Sequence, residues 1–131
     1  MKTLLTSLVF ALFISLSATA QMDTKVIAVV NRADWCPACE KNGERAMTTL
    51  MEHNKDKAVR FIMNDLTDEE SKAESVKRLQ NMGLEQVMSS FKATGMVYFF
   101  DAKTKKLIDK ISVAKPNNEL AKALADVIKA N

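Results

Sequence analysis

Val26-Ile-Ala-Val-Val30, then Asn31-Arg-Ala-Asp-Trp35, then Cys36-Pro-Ala-Cys39: these fourteen residues decide the fold. The first five form a continuous apolar run rich in β-branched side chains, the pattern of a strand buried on both faces. Six residues after it comes a Cys-x-x-Cys pair, and from Pro37 to about His53 the periodicity turns helical. Cys39, Gly43, Ala46 and Leu50 fall on one side with Met47 and Met51 beside them, and Glu40, Lys41, Glu44 and Arg45 fall mostly opposite. A strand that runs into a dithiol, which in turn opens a helix, has a chemical logic. Cys36 falls at the helix N-terminus, where unpaired backbone N–H groups carry partial positive charge and stabilise a thiolate. Pro37 suits the first helical turn because its missing N–H costs nothing there. Cys39 lies one turn inward and is expected to be the less exposed of the two. On this reading Cys36 attacks a disulfide and Cys39 resolves the mixed disulfide. Trp35 shapes the docking surface around Cys36, while Arg32 and Asp34 are nearby charges acting in opposite senses.

The same spacing has other uses. A haem attachment motif needs His after the second cysteine, and Glu40 stands there; structural zinc needs about four ligands, and only His53 can add an imidazole. His53 lies at the far end of the first helix, where a cation favours the helix C-terminus, and has no catalytic use. No phosphate loop is present. The two cysteines are the only ones in the chain. They can bridge only each other, across a short turn that constrains little of the unfolded chain, so chemistry explains them better than stability does.

Downstream, residues 58–63 read as a second strand with a polar turn at Asn64-Asp65. Residues 68–80 read as a helix that carries Ala73, Val76 and Leu79 inward and stops at Gly83. Leu84, Val87, Met88 and Phe91 mark a second short helix. Residues 96–100 read as a central strand, 101–105 as a hairpin turn and 106–112 as an edge strand. Pro116-Asn117 provides an N-cap, and Leu120, Leu124, Val127 and Ile128 form the apolar stripe of a final helix. The order β-α-β-α-α-β-β-α predicts an α/β domain: a four-stranded mixed sheet with helices on both faces.

Upstream, Lys2 precedes an apolar stretch from Leu4 to Leu16 that ends in Ser17-Ala18-Thr19-Ala20. A basic start, a short apolar run and small residues at −3 and −1 make a secretory signal peptide. The run is shorter than the roughly 20 residues of a spanning helix. The expected division is a signal peptide at 1–20 and one domain at 21–131, exported to the periplasm or secreted. The charges, 19 Lys and Arg against 16 Asp and Glu, are interspersed without a basic block, which argues against nucleic acid as a partner.

Trp35-Cys36-Pro37-Ala38-Cys39 after a buried strand, followed by a helix and a β-β-α tail, resembles the thioredoxin superfamily over roughly residues 24–130. The resemblance implies a thioredoxin-like fold and a thiol–disulfide oxidoreductase with Cys36 as the exposed nucleophile, Cys39 as the resolving cysteine and no cofactor. It also implies protein dithiols or disulfides as substrates, a monomer, and an electron donor or acceptor outside this chain, a membrane protein being one option. Substrate binding falls to Trp35, Pro37, Thr94 and Gly95. The last two come from Ala93-Thr94-Gly95-Met96, which matches the segment where the family usually carries a cis-proline; no proline occurs between 38 and 115. The buried Asp of typical thioredoxins is matched by Val30, with Asn31 next, and the dipeptide between the cysteines is Pro-Ala in place of Gly-Pro. Two other readings compete with the enzyme. One is a metal-handling module binding Cu(I) or Zn(II) through the two thiolates; most methionines occupy apolar positions suited to packing. The other is a binding or chaperone-like domain with a vestigial dithiol.

Overall fold

The computed structural model describes residues 24–131; the expected signal peptide, 1–20, lies outside them. Among the described residues no helix is long and apolar enough to cross a membrane. The chain runs β1 (Val26–Arg32), α1 (Pro37–Glu52), a short 3-10 turn (Lys55–Lys57), β2 (Val59–Asp65), α2 (Glu69–Asn81), α3 (Glu85–Met88), β3 (Met96–Asp101), β4 (Leu107–Ser112) and α4 (Asn117–Lys129). The sheet order is β2-β1-β3-β4. The β1-α1-β2 crossover makes the first pair parallel, and β3 returns antiparallel to β1 and to β4.

The expected order of elements holds, and the physical reason is the apolar content of the two middle strands. Val26 to Asn31 are all buried, as are Val97 to Phe100. Alternation then sorts them. Val26, Ala28, Val30, Val97 and Phe99 face Ala46 and Leu50 of α1 and Leu120, Leu124 and Val127 of α4. Ile27, Val29, Tyr98 and Phe100 face Ile62 of β2, Leu79 of α2, and Leu84 and Met88 around α3. Both faces of the sheet are thus covered, and the chain leaving the C-terminal end of β1 leads directly to the dithiol.

Four details differ from expectation. Asn64 and Asp65 continue β2, in register with Asn31 and Arg32. Their polar side chains are satisfied across the strands: Asn64 Nδ2 donates to Asn31 Oδ1 at 2.8 Å, and Arg32 pairs with Asp65. In α2 the buried line is Ser75 and Leu79, and Ala73 and Val76 are exposed. Ser75 Oγ accepts the Asp65 N–H at 2.8 Å, which turns the helix by its hydroxyl rather than by its apolar residues. Met51 is also exposed. At α4 the N-cap is Pro116 with no side-chain hydrogen bond, and the Asn117 side chain instead accepts from Arg45. By contrast, Gly83 ends α2 as expected. At φ +69° its N–H donates to Gln80 O at 3.0 Å while Leu84 N–H donates to Leu79 O at 2.9 Å, a Schellman closure sealed by buried Leu79 and Leu84.

Candidate functional site

Beyond Arg32 the chain turns through Ala33, whose carbonyl accepts the Cys36 N–H at 3.1 Å. Cys36 is the N-cap of α1, with extended backbone angles, and Pro37 follows as the first helical residue. The Cys36 Sγ accepts the backbone N–H of Cys39 at 3.2 Å, so the sulfur takes the place of the usual capping oxygen. That contact and the helix dipole both favour negative charge on Cys36. Cys36 and Cys39 are disulfide-bonded with Cα atoms 5.2 Å apart.

The order of exposure is the reverse of that expected. Cys36 is 3% exposed, whereas Cys39 is half-buried. The cause lies on both sides of the bond. Gly95, at φ +73°, packs against Cys36 so closely that a Cβ there would stand 3.6 Å from its Sγ and 3.2 Å from Ala38 Cβ. Cys39 borders a cavity of about 370 Å³ with Glu40, Gly43, Glu44, Met47 and Asp34 in its walls. A Cβ at Gly43 would meet nothing within 4 Å, so the missing side chain leaves that cavity open.

Of the segment expected to bind substrate, Gly95 lies against Cys36. No peptide bond among the described residues is cis. Gly95 N–H donates to Asn31 O at 2.8 Å, and Gly95 O accepts from Val113 N–H at 2.9 Å, so both of its backbone groups are occupied. Thr94, half-buried, has neither group hydrogen-bonded within the described residues. Pro37 is exposed. Trp35 is 62% exposed, and its orientation is set by an Nε1–H bond to Thr67 O at 3.1 Å. Asp34 N–H donates to Thr67 Oγ1 at 3.0 Å. The loop after β2 thus supports the loop after β1, a role for Thr67 that its position in the sequence does not announce. Beside Trp35 a second groove, of about 520 Å³, runs between α2 and α3 along Val76, Met88 and Phe91.

Arg32 and Asp34, read as free charges near the dithiol, are joined. Arg32 bridges Asp34 and Asp65. Burial opposes ionisation of Asp65, but hydrogen bonds from the Thr67 hydroxyl and N–H, together with the Arg32 guanidinium, outweigh it and hold the carboxyl below its ordinary value. The guanidinium is therefore paired with two carboxylates, and the trio carries a net charge of −1. His53 caps the other end of α1, with Nδ1 2.8 Å from Thr49 O. Among the described residues no three His, Cys, Asp or Glu side chains converge where a metal ion could sit.

A mixed sheet in the order β2-β1-β3-β4 with helices on both faces has counterparts in solved structures. One is Trxlp from Edwardsiella tarda EIB202, at TM-score 0.52 and 17% identity over 79% of this chain and 85% of that one. This is a thioredoxin fold. The Fasciola hepatica thioredoxin matches it at TM-score 0.50 and 18% identity, covering 79% and 82% of the two chains. The dsbF protein of MTB, solved in mixed oxidised and reduced forms, matches at TM-score 0.51 and 18% identity, covering 79% and 81%. No protein-family model and no curated protein matches the sequence. At these identities the likeness is one of fold.

Proposed function

We propose that this chain is an exported thiol–disulfide oxidoreductase that acts on protein substrates through Cys36, with Cys39 as the resolving residue. The observation that carries the reading is the Cys36 sulfur held as N-cap of α1, accepting the Cys39 N–H. The assignment of roles rests on this charge stabilisation, since exposure alone ranks the cysteines the other way. In the reducing direction the Cys36 thiolate attacks one sulfur of a substrate disulfide. A new S–S bond forms, the substrate bond breaks, and the leaving sulfur takes a proton. Cys39 then gives up its proton, which the open cavity beside it delivers to solvent, and attacks Cys36 Sγ. The Cys36–Cys39 bond forms as the mixed disulfide breaks, and the second substrate sulfur leaves as a thiol. Two electrons have passed to the substrate, and an external donor restores the dithiol. The oxidising direction is the same sequence reversed, with an external acceptor; the couple's potential against its compartment selects between them.

Trp35, Pro37, Thr94 and Gly95 border the entry to the couple. The exposed indole and Pro37 offer apolar surface, and Thr94 offers free backbone groups to an extended substrate segment. The basic, apolar and small-residue pattern of residues 1–20 supports export, and the intact mass of the mature protein is expected to correspond to a chain starting at Gln21. The direct test of the roles is glutathionylation. With oxidised glutathione, Cys39→Ser should form a mixed disulfide at Cys36 roughly threefold faster than Cys36→Ser does at Cys39, the net factor for a unit drop in thiol pKa once the lower nucleophilicity of the more acidic thiolate is counted. Equal rates, or a faster Cys39, would reverse the assignment.

A further inference from the structure

The loop over Cys36 contains no proline and no cis peptide, so its conformation must be fixed by other means. We propose that Asn31 is the positioning residue of this site: its buried side chain fastens residues 91–95 over the Cys36 sulfur and thereby sets the reactivity of that thiol. The proposal rests on the reading of Cys36 as the thiol that meets substrate.

Asn31 is the penultimate residue of β1 and is 0% exposed. An amide inside an apolar strand is costly unless every polar atom is paired. Here the pairing is complete. Nδ2 donates to Phe91 O at 2.8 Å and to Ala93 O at 3.1 Å. Oδ1 accepts from Asn64 Nδ2 at 2.8 Å. The backbone carbonyl of the same residue accepts the Gly95 N–H at 2.8 Å. One residue therefore holds the loop at three points, Phe91, Ala93 and Gly95, and no buried side-chain polar atom among the described residues is left unsatisfied. Two of those anchors are carbonyls, which only a donor can hold; Asp, Ser or an apolar residue at 31 cannot supply two side-chain N–H groups. The loop end so held is Gly95, whose missing side chain lets it lie against Cys36 Sγ. The chain of contacts runs from the Asn31 amide through the loop to the sulfur. Asn64 belongs to the same network but touches Asn31 from the β2 side, with no hydrogen bond to the loop. That asymmetry separates positioning from plain stability.

The test is alkylation of Cys36 by iodoacetamide in a Cys39→Ser background, where one thiol reacts. It reads the Cys36 thiol whether or not the protein turns over a substrate, so its failure is distinct from failure of the oxidoreductase reading. Asn31→Ala should raise the rate constant roughly tenfold, the factor expected when a hydrogen-bonded cover is lost. Asn31→Asp, nearly isosteric, keeps the acceptor for Asn64 but turns an oxygen toward two carbonyls, and should act in the same direction. Asn64→Ala should lower the urea midpoint yet leave alkylation within about twofold, because the loop anchors remain. Parent-like alkylation in both Asn31 variants, or an equal rise in Asn64→Ala, would overturn the proposal. If neither Asn31 variant folds, the unmodified protein still decides: the Asn31 Nδ2 protons, bonded to Phe91 O and Ala93 O, should exchange with solvent at least about tenfold more slowly than those of exposed Asn118, and exchange as fast as Asn118 contradicts the tether.

Discussion

At the scale of single residues, the site is organised by groups whose polar atoms are already committed. Cys36 is held by the Cys39 N–H, Trp35 by Thr67 O, and Arg32 by two carboxylates. Asp65 is the member whose commitment can be read by titration. Its carboxyl is held below its ordinary value in the folded state, so it contributes stability above its unfolded pKa of about 3.9 and loses it as pH falls through the folded value. Asp65→Asn should therefore lower the unfolding free energy measured by urea at pH 7, by at most about 1 kcal/mol since both partners are partly solvated. The gap should close from about pH 4 downward. A gap independent of pH between 7 and 2 would mean that packing, and not charge, supplies the contribution. The positions of the residues proposed to carry the chemistry were legible in the sequence: Trp35, Cys36, Pro37 and Cys39 stand where the strand-to-helix pattern places them. The exposure of the cysteines was not, because it is decided by Gly95, which is distant in sequence and acts by having no side chain.

At the scale of elements, periodicity served best where apolar residues alone decide the buried face. The stripe Leu120, Leu124 and Val127 of α4 is buried as read, with Ala123 beside it. In α2 the same rule selected Ala73, Val76 and Leu79, of which Leu79 is buried, with Ser75 in place of the other two, because a hydroxyl bonded to Asp65 of β2 sets the helix rotation. Asn64 and Asp65 resembled a turn for a similar reason: polar residues extend a strand only when their partners, Asn31 and Arg32, stand opposite, and a single strand does not display its register. Glycines give the sharpest element-level test. Gly43 lies within α1 with open space where a Cβ would be, so Gly43→Ala should stabilise the protein by roughly 0.5–1 kcal/mol. Gly83 sits at φ +69° with only ordinary contact to Lys105 from an added Cβ, so Gly83→Ala should cost about 1–2 kcal/mol through backbone conformation alone. Urea unfolding measures both, and the same sign for the two would contradict this account of where the chain needs glycine.

At the scale of the molecule, two cores on opposite faces of one sheet hold the end of β1 rigid, and the dithiol sits on that end. Mixed topology follows from the chain itself: a helix-length crossover makes β1 and β2 parallel, and the short turn after β3 makes β4 antiparallel. This much was legible from the order of elements. The fastening of the loop before β3 to β1 was not, since it depends on one asparagine that donates two hydrogen bonds and accepts a third across sixty or more residues of sequence. The central claim is that the whole arrangement serves a redox couple and not a structural bridge. Equilibrium titration of the mature protein against glutathione tests it most directly. The account predicts a reversible two-electron couple at Cys36–Cys39 with a potential between about −270 mV, where thioredoxins lie, and about −120 mV, where strong oxidants of this chemistry lie. A bond that glutathione cannot reduce, with a potential below about −300 mV as in structural disulfides, or the absence of any reversible couple, would contradict it.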